Sequence, residues 1–373
     1  MKYYLIAGEA SGDMHSANLM KELKKSDPNA DFRFWGGDLM KKEGGELVKH
    51  YRELAFMGFT EVVMNLRTIL RNIEFCKKDL LENRPDALIL IDYPGFNLRI
   101  AEFAKQNGIQ VFYYISPQVW AWKQSRVHKI KRIVDKMYVI LPFEKDFYKK
   151  FDYEVEFVGH PLLDEIENIK ANSLSKEKFL SAYQLDDKPI IALLPGSRRQ
   201  EISVMLPLML SVADDFPEYQ FVIAAAPSIP ADFLTAITGS KKVAIVTGQT
   251  YTLLTHATAA LVTSGTATLE TALFEVPEVV CYKGGFISYA IARMLIKVNY
   301  ISLVNLIMDN EVVKELIQNQ LTSSNLKTEL NAILRDAESR AKMRAAFVQL
   351  KEKLGGKGAS AKVAGLIFRE LSV

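Results

Sequence analysis

Short apolar runs recur along most of this chain, each followed by a turn and then by a stretch with apolar residues at helical spacing. That alternation is the mark of βα units. It commits the chain to parallel sheets whose faces are covered by helices. In the first half it predicts strands at Tyr3–Ala7, Phe32–Trp35, Ala87–Ile91, Val111–Ile115, Lys136–Ile140 and Glu156–Val158. Helices such as Ser16–Lys24, Thr60–Glu82 and Leu98–Asn107 fall between them. After Pro161 the texture turns polar through "ENIKANSLSKEK", which reads as linker plus a short helix. A second βα series runs through Pro189–Leu194, Tyr219–Ala226, Val243–Val246, Ala259–Thr263 and Glu278–Tyr282. A helical tail, Asn325 to Leu371, follows with a break at Gly355-Gly356. A length of 373 residues suits two such domains and hence a cleft between them.

Composition narrows the function. The chain is 49% hydrophobic and 24% charged, as a soluble globular protein is. Its net charge of +3 is too mild to imply nucleic-acid binding. The two cysteines, Cys76 and Cys281, suit a reducing compartment and offer no disulfide framework. The five histidines are scattered, and HExxH, CxxC and D-x-D are absent, so no protein-built metal site is expected. No G-x-S-x-G elbow marks a serine hydrolase. The opening "MKYYLIAGEASGD" has too few apolar residues before its glycine turn for a signal peptide. The greasy segment Ile287 to Met308 carries Arg293, Lys297 and Asn299, which argues against a membrane-spanning helix.

Open α/β sheets bind ligands at the carboxyl ends of their strands, so the loops after strands carry the chemistry. The first strand ends in "GEASGD", where Gly8 and Gly12 permit tight turns and close approach, and Ser11 or Asp13 can cap the next helix. An ordinary turn and a ligand contact through Glu9, Ser11 and Gly12 fit this loop about equally. The greasy strand Ala87–Ile91 delivers Asp92 into "DYPGFN", as a catalytic acid or as a cap for the helix beginning near Asn97. "LLPGSRRQEI" sets Gly196, Ser197 and Arg198 directly after a buried strand, an arrangement suited to phosphate oxygens. "TSGTATLE" starts a helix with Ser264, Gly265 and Thr266, whose bare donors and dipole suit a diphosphate. Glu270 follows within reach of ribose hydroxyls, unless it only complements the dipole. After Val111–Ile115, Pro117, Trp120 and Trp122 form an aromatic corner. The helix beyond it sets Val127, Ile130, Val134 and Met137 on one face and Arg126, Lys129, Arg132 and Lys136 off it. That basic face is ordinary solvation or a seat for an anionic lipid or acceptor phosphate. Finally, "AFMGFTEVVMNLRTILRNIEF" offers Phe56, Met57, Phe59, Val62, Val63, Leu66, Ile69 and Leu70 beside Arg67 and Arg71. That apolar set is wider than core packing needs and suits acyl chains or a membrane surface.

Taken in order, "AGEASGD", "MGFTEV", "IDYPGFN", "YYISPQVWAWKQSRVHKI", "LPFEKDFY", "FVGHPLLD", "LLPGSR", "TSGTATLE" and "YISLVNLI" resemble the lipid-A-disaccharide synthases nearly end to end. Gly95 departs from the pattern, standing where many members have a second acid, which leaves Asp92 as the candidate carboxylate. The resemblance implies a glycosyltransferase-B architecture, α/β, with two Rossmann-like domains facing a cleft and a C-terminal helix crossing back to the first. The expected divisions are 1–165 for acceptor and lipid, 166–188 as linker, 189–340 for the UDP-sugar, and 341–373 as returning helices. It further implies transfer from UDP-2,3-diacylglucosamine to 2,3-diacylglucosamine 1-phosphate, with inversion to a β-1,6-linked disaccharide. Asp92 is then the general base, Arg198, the Gly265 helix start and Glu270 hold UDP, and Asn305 in "SLVN" lies near the cleft. No cofactor or metal is expected, and the protein would be cytoplasmic, held peripherally at the inner-membrane surface. Two rivals remain at this point. A UDP-N-acetylglucosamine 2-epimerase would have no use for the apolar stretch after Ala55, and a non-catalytic UDP-sugar or lipid binder would have no need of Asp92.

Overall fold

A computed structural model describes residues 1–54, 66–122, 124–239, 241, 243–284 and 299–372. The chain forms two compact units, Met1–Asp164 with Leu354–Val373, and Glu165–Lys353.

The first unit holds a sheet in the order β3-β2-β1-β4-β5-β6-β7. Its strands are β1 (Lys2–Ala7), β2 (Asp31–Gly36), β3 (Glu46–His50), β4 (Ala87–Ile91), β5 (Gln110–Tyr114), β6 (Lys136–Val139) and β7 (Glu156–Phe157). Every neighbouring pair is parallel. Helices cover both faces of such a sheet, so inner strands bury alternate residues equally and read as unbroken apolar runs. β4 is the clearest case, with all five residues buried. The helix Ala10–Ser26 packs Leu19, Met20 and Leu23 into the core that Val363, Ala364 and Ile367 of the last helix, Ala359–Leu371, also enter.

The second unit repeats the plan in the order β10-β9-β8-β11-β12-β13. Its strands are β8 (Ile190–Leu194), β9 (Gln220–Ala225), β10 (Ala244–Thr247), β11 (Ala257–Thr263), β12 (Glu278–Tyr282) and β13 (Lys314–Ile317), again all parallel.

Three departures from the sequence reading have physical causes. β3 and β13 were not anticipated; both are sheet edges, where a strand keeps charged residues that blunt further pairing. The polar stretch after Asp164 is not a free linker, because it forms the helices Leu162–Asn172 and Lys176–Ala182, the latter anchored by fully buried Phe179. The helix Ala337–Lys353 belongs to the second unit, where Phe347 and Leu350 are buried and Lys351 pairs with Glu275, so only the segment from Leu354 joins the first. A smaller difference concerns the basic helix, Arg126–Ile133, which stops where Val134 becomes extended. Lys136 and Met137 therefore lie in β6, and Lys129 and Lys136 pair with Glu102 and Glu370.

Candidate active site at the two switch points

A doubly wound sheet opens a crevice where its strand order reverses. In the first unit that point lies between β1 and β4, whose ends lead into Gly8-Glu9 and into Asp92. Gly8 is dictated by contact: a Cβ there would stand 2.4 Å from the Tyr93 ring. Pressed onto Gly8, Tyr93 also donates its hydroxyl to the Leu54 carbonyl at 3.2 Å. Gly12 is buried, and a Cβ there would come within 3.2 Å of Ala7, so it brings the helix close to β1. Neither Ser11 nor Asp13 caps this helix; the N-cap is Glu9, without a side-chain capping bond. Ser11 is exposed. Buried Asp13 instead accepts the backbone N–H groups of Gly37 (2.7 Å), Leu39 (3.1 Å) and Met40 (3.1 Å), fixing the loop after β2.

At the end of β4 the backbone is strained. Asp92 and Tyr93 have φ of 45° and 47°, a left-handed pair without a glycine. Such residues cost roughly 1–3 kcal/mol each and persist only where their surroundings over-determine them. Asp92 does not cap the following helix, Pro94–Gln106, whose N-cap is Tyr93, without a side-chain capping bond. Instead the Asp92 side chain keeps partial exposure. Burial pushes its carboxyl up to about 7, the charge of Glu9 adds to the push, and the Tyr93 N–H opposes it. A carboxyl poised there can exchange protons near neutral pH. A Cβ on Gly95 would meet nothing within 4 Å among the described residues.

The next strand ends in the same manner. Ile115 has φ of 64°, rare for a β-branched residue, and turns β5 into Ser116-Pro117. The Ser116 hydroxyl donates to buried Glu144, which also accepts the N–H groups of Leu141 (2.9 Å) and Ile140 (3.2 Å). Burial nonetheless pushes the Glu144 carboxyl up to about 7. Trp120 stands edge-on to Phe143, ring centroids 4.9 Å apart, so part of the aromatic corner is packed within this unit.

In the second unit the order reverses between β8 and β11, and their pairing sets the Gly196 and Gly265 turns side by side. Gly196 has φ of 110°. Glu201 folds over it, and a Cβ would lie 2.9 Å from that carboxylate. Ser197 and Arg198 are exposed, and Arg198 bonds Glu201 at 3.0 Å. Across the gap, Ser264 spends its hydroxyl on the Ile301 carbonyl at 3.1 Å. Gly265 and Thr266 are exposed at the start of the helix Thr266–Leu273, and Gly265 makes no side-chain cap. Glu270 hydrogen-bonds Tyr251, and burial pushes its carboxyl up to about 7. Tyr251 is itself held by stacking on Phe274 at 5.4 Å. A profile of the lipid-A-disaccharide synthetase family matches residues 3–365 of the chain. It is 40% identical over 374 residues to the lipid-A-disaccharide synthase of Geobacter metallireducens, covering 98% of this chain and 96% of that one. With the synthase of Syntrophus aciditrophicus it shares 42% over 368 residues, 96% and 95% of the two chains. The chain belongs to the lipid-A-disaccharide synthetase family. It is therefore an enzyme, a glycosyltransferase of lipid A biosynthesis.

The fold has wider company than that family. The crystal structure of UDP-GlcNAc 2-epimerase from Neisseria meningitidis bound to UDP-GlcNAc matches with a TM-score of 0.71, over 99% of this chain and 100% of the other. At 14% identity it shares the glycosyltransferase-B type of fold and no more. Two expected elements of a lipid-A-disaccharide synthetase need comment. Asn305 is fully buried and donates to Val313 O and Glu315, each within 2.9 Å. It also accepts from Val312 and Val313. Its amide is spent on folding its own loop, which leaves no polar atom for a ligand. Of the apolar set, Phe56, Met57, Phe59, Val62 and Val63 lie outside the described residues, as does most of Ile287 to Met308. Leu66 opens the helix Leu66–Asn83, on which Arg67, Leu70 and Arg71 are exposed and Ile69 half-buried. Phe75, further along, is also exposed. Among the described residues no helix is long and apolar enough to cross a membrane, and no His, Cys, Asp or Glu group is arranged to hold a metal.

Sequence reasoning passed over Tyr93, Asn97, Tyr113, Glu144 and Tyr251. The tyrosines in "VFYY" and "DYPGFN" read as apolar bulk, and nothing local shows where a hydroxyl goes. Asn97 did leave a trace, a polar residue between Phe96 and Leu98 at the start of an otherwise buried helix.

Proposed function

We propose that this enzyme joins UDP-2,3-diacylglucosamine to 2,3-diacylglucosamine 1-phosphate, inverting the donor's anomeric centre to give the β-1,6-linked disaccharide 1-phosphate and UDP. The acceptor 6-hydroxyl oxygen bonds the donor anomeric carbon as the bond from that carbon to the diphosphate breaks. The hydroxyl proton passes to the Asp92 carboxylate, and the bonding electrons leave with UDP. A single displacement turns an α-linked donor into a β product. The observation that carries this reading is Asp92 itself, partly exposed at a switch point on a strained strand end, with its carboxyl pushed up to about 7. Such a group is basic enough to take a proton and still ionised in part at neutral pH.

The donor's diphosphate is held by Arg198 and the N–H groups of the Gly196 and Gly265 turns, with Glu201 released from Gly196 and Arg198 as the anion arrives. Glu270 accepts the ribose hydroxyls. Leaving-group charge is met by the arginine and the helix start without a resident cofactor or metal. Both substrates carry acyl chains, and the exposed Arg67, Leu70, Arg71 and Phe75 suit a peripheral seat on the cytoplasmic face of the inner membrane. The test is UDP release from purified protein supplied with donor, acceptor or both. Release only with both supports transfer; interconversion of a UDP-sugar without acceptor supports an epimerase, and no turnover supports a binder.

A further inference from the structure

The left-handed turn at Asp92 does not hold itself. Its carbonyl oxygen is turned inward, and two side chains meet it: the Tyr113 hydroxyl donates at 2.5 Å and the Asn97 amide at 2.8 Å. The same Asn97 amide lies 3.3 Å from the carbonyl of Ile91 and 3.5 Å from that of Ile6, so it gathers the ends of β1 and β4. The Asp92 N–H donates to Tyr114 O at 3.2 Å on β5. Tyr113 and Asn97 are both fully buried. Both main-chain polar atoms of Asp92 are therefore bound, and the Tyr93 ring is pressed on Gly8. Only the Asp92 side chain is left to project outward.

We propose that Tyr113 and Asn97 form a clamp on the Asp92 carbonyl and act as positioning residues for proton removal from the acceptor, a role that rests on the reading of Asp92 as the base. Neither touches a substrate. They act by keeping φ at Asp92 and Tyr93 left-handed, so that the carboxylate reaches the acceptor proton from a fixed frame. Misplacement of about 1 Å can cost 10²-fold in rate, so a loosened clamp should be visible in turnover before binding.

Tyr113→Phe removes one oxygen from a ring site and nothing else. In full-length enzyme we expect kcat to fall about 10-fold or more with KM for both substrates within about twofold, because misalignment acts on the reacting atoms. The acid limb of the kcat–pH profile should shift as well, which a merely structural bond would not cause. Asn97→Leu keeps the branched shape, removes both donors and supplies a second arm, with the same split expected. The deciding measurement is the cycle with Asp92→Asn. If Tyr113 works through Asp92, Tyr113→Phe should cost nothing further in the Asp92→Asn background. An equal loss in both backgrounds, or a Tyr113→Phe enzyme with normal kcat, overturns the clamp and leaves the base assignment standing. A fully active Asp92→Asn enzyme overturns both, and so separates the two failures.

Discussion

The two switch points share a topology and differ in build. At the end of β4 three non-glycine residues in the neighbouring turns take left-handed backbone, and every main-chain polar atom of Asp92 is bound. At the ends of β8 and β11 the turns run through Gly196 and Gly265 and stay exposed, with one arginine in a surface pair. The difference fits the tasks we propose for the two. Taking a proton needs a fixed angle and distance, and the first unit maintains strain to secure them. Gripping a diphosphate needs donors that can close on a charged, many-oxygened group, and exposed glycine turns beside an exposed arginine suit that.

The sharpest way to break this contrast is Asp92→Asn. It keeps shape and removes the proposed base, so turnover should fall by about 10²–10⁴. UDP affinity, measured calorimetrically, should stay unchanged if the nucleotide depends on the second unit alone. A large loss of UDP affinity would erase the division of labour.

That contrast was half legible in the amino-acid sequence. The places of Asp92, the Gly196 turn and the Gly265 turn at strand ends were readable because each follows a buried apolar strand. What holds Asp92 was not, since Tyr113 contributes through a hydroxyl on a residue that alternation assigns to the core. The edge strands β3 and β13 escaped because charge on an edge looks like loop. The fate of Asn305 depended on Glu315, which approaches it only after β13 has joined the sheet.

Arg198→Ala tests the open half. A charged hydrogen bond to phosphate contributes on the order of 1.5–3 kcal/mol, so donor affinity should weaken by about 10- to 150-fold. The melting temperature should hardly move, because exposed pairs such as the one with Glu201 contribute about 0–1 kcal/mol. A pronounced drop in melting temperature would show that the loop is structural.

Glu278 sharpens the comparison from another side. It starts β12, at the end of the sheet away from the Gly265 turn; it is fully buried, and among the described residues neither carboxylate oxygen has a partner. Burial drives its carboxyl well above the usual range, yet no switch point is nearby. Glu278→Met should stabilise the fold at neutral pH by about 1–3 kcal/mol and leave transfer unchanged. The sign follows from linkage. A raised carboxyl pKa gives stability that is complete below the unfolded value near 4 and lost as pH rises toward the folded one. The gain from Glu278→Met should therefore shrink below about pH 4 and grow above it, in urea melts run at several pH values. A variant that lost activity would tie this acid to function. The smallest expected effect is that of chelators, which should leave the transfer rate unchanged; dependence on an added divalent ion would overturn the metal-free treatment of the leaving diphosphate.

The last helix, Ala359–Leu371, has a consequence for how the enzyme is born. It lies in the core of the first unit, where Asp164 accepts the N–H groups of Gly358 (2.5 Å) and Ser360 (3.0 Å), and His160 N–H bonds Leu354 O at 3.0 Å. On the ribosome, the whole of Glu165–Lys353 is synthesised before those contacts can form. At about 5–20 residues per second that is a delay of roughly 10–40 s, during which Leu19 and Leu23 lack their cover. The second unit can fold in that interval, while the unit bearing Asp92 waits for the helix Ala359–Leu371. A chain cut short before Ala359 would carry a complete second unit and an unfinished first one, and its bare apolar helix would mark it for chaperones and proteases.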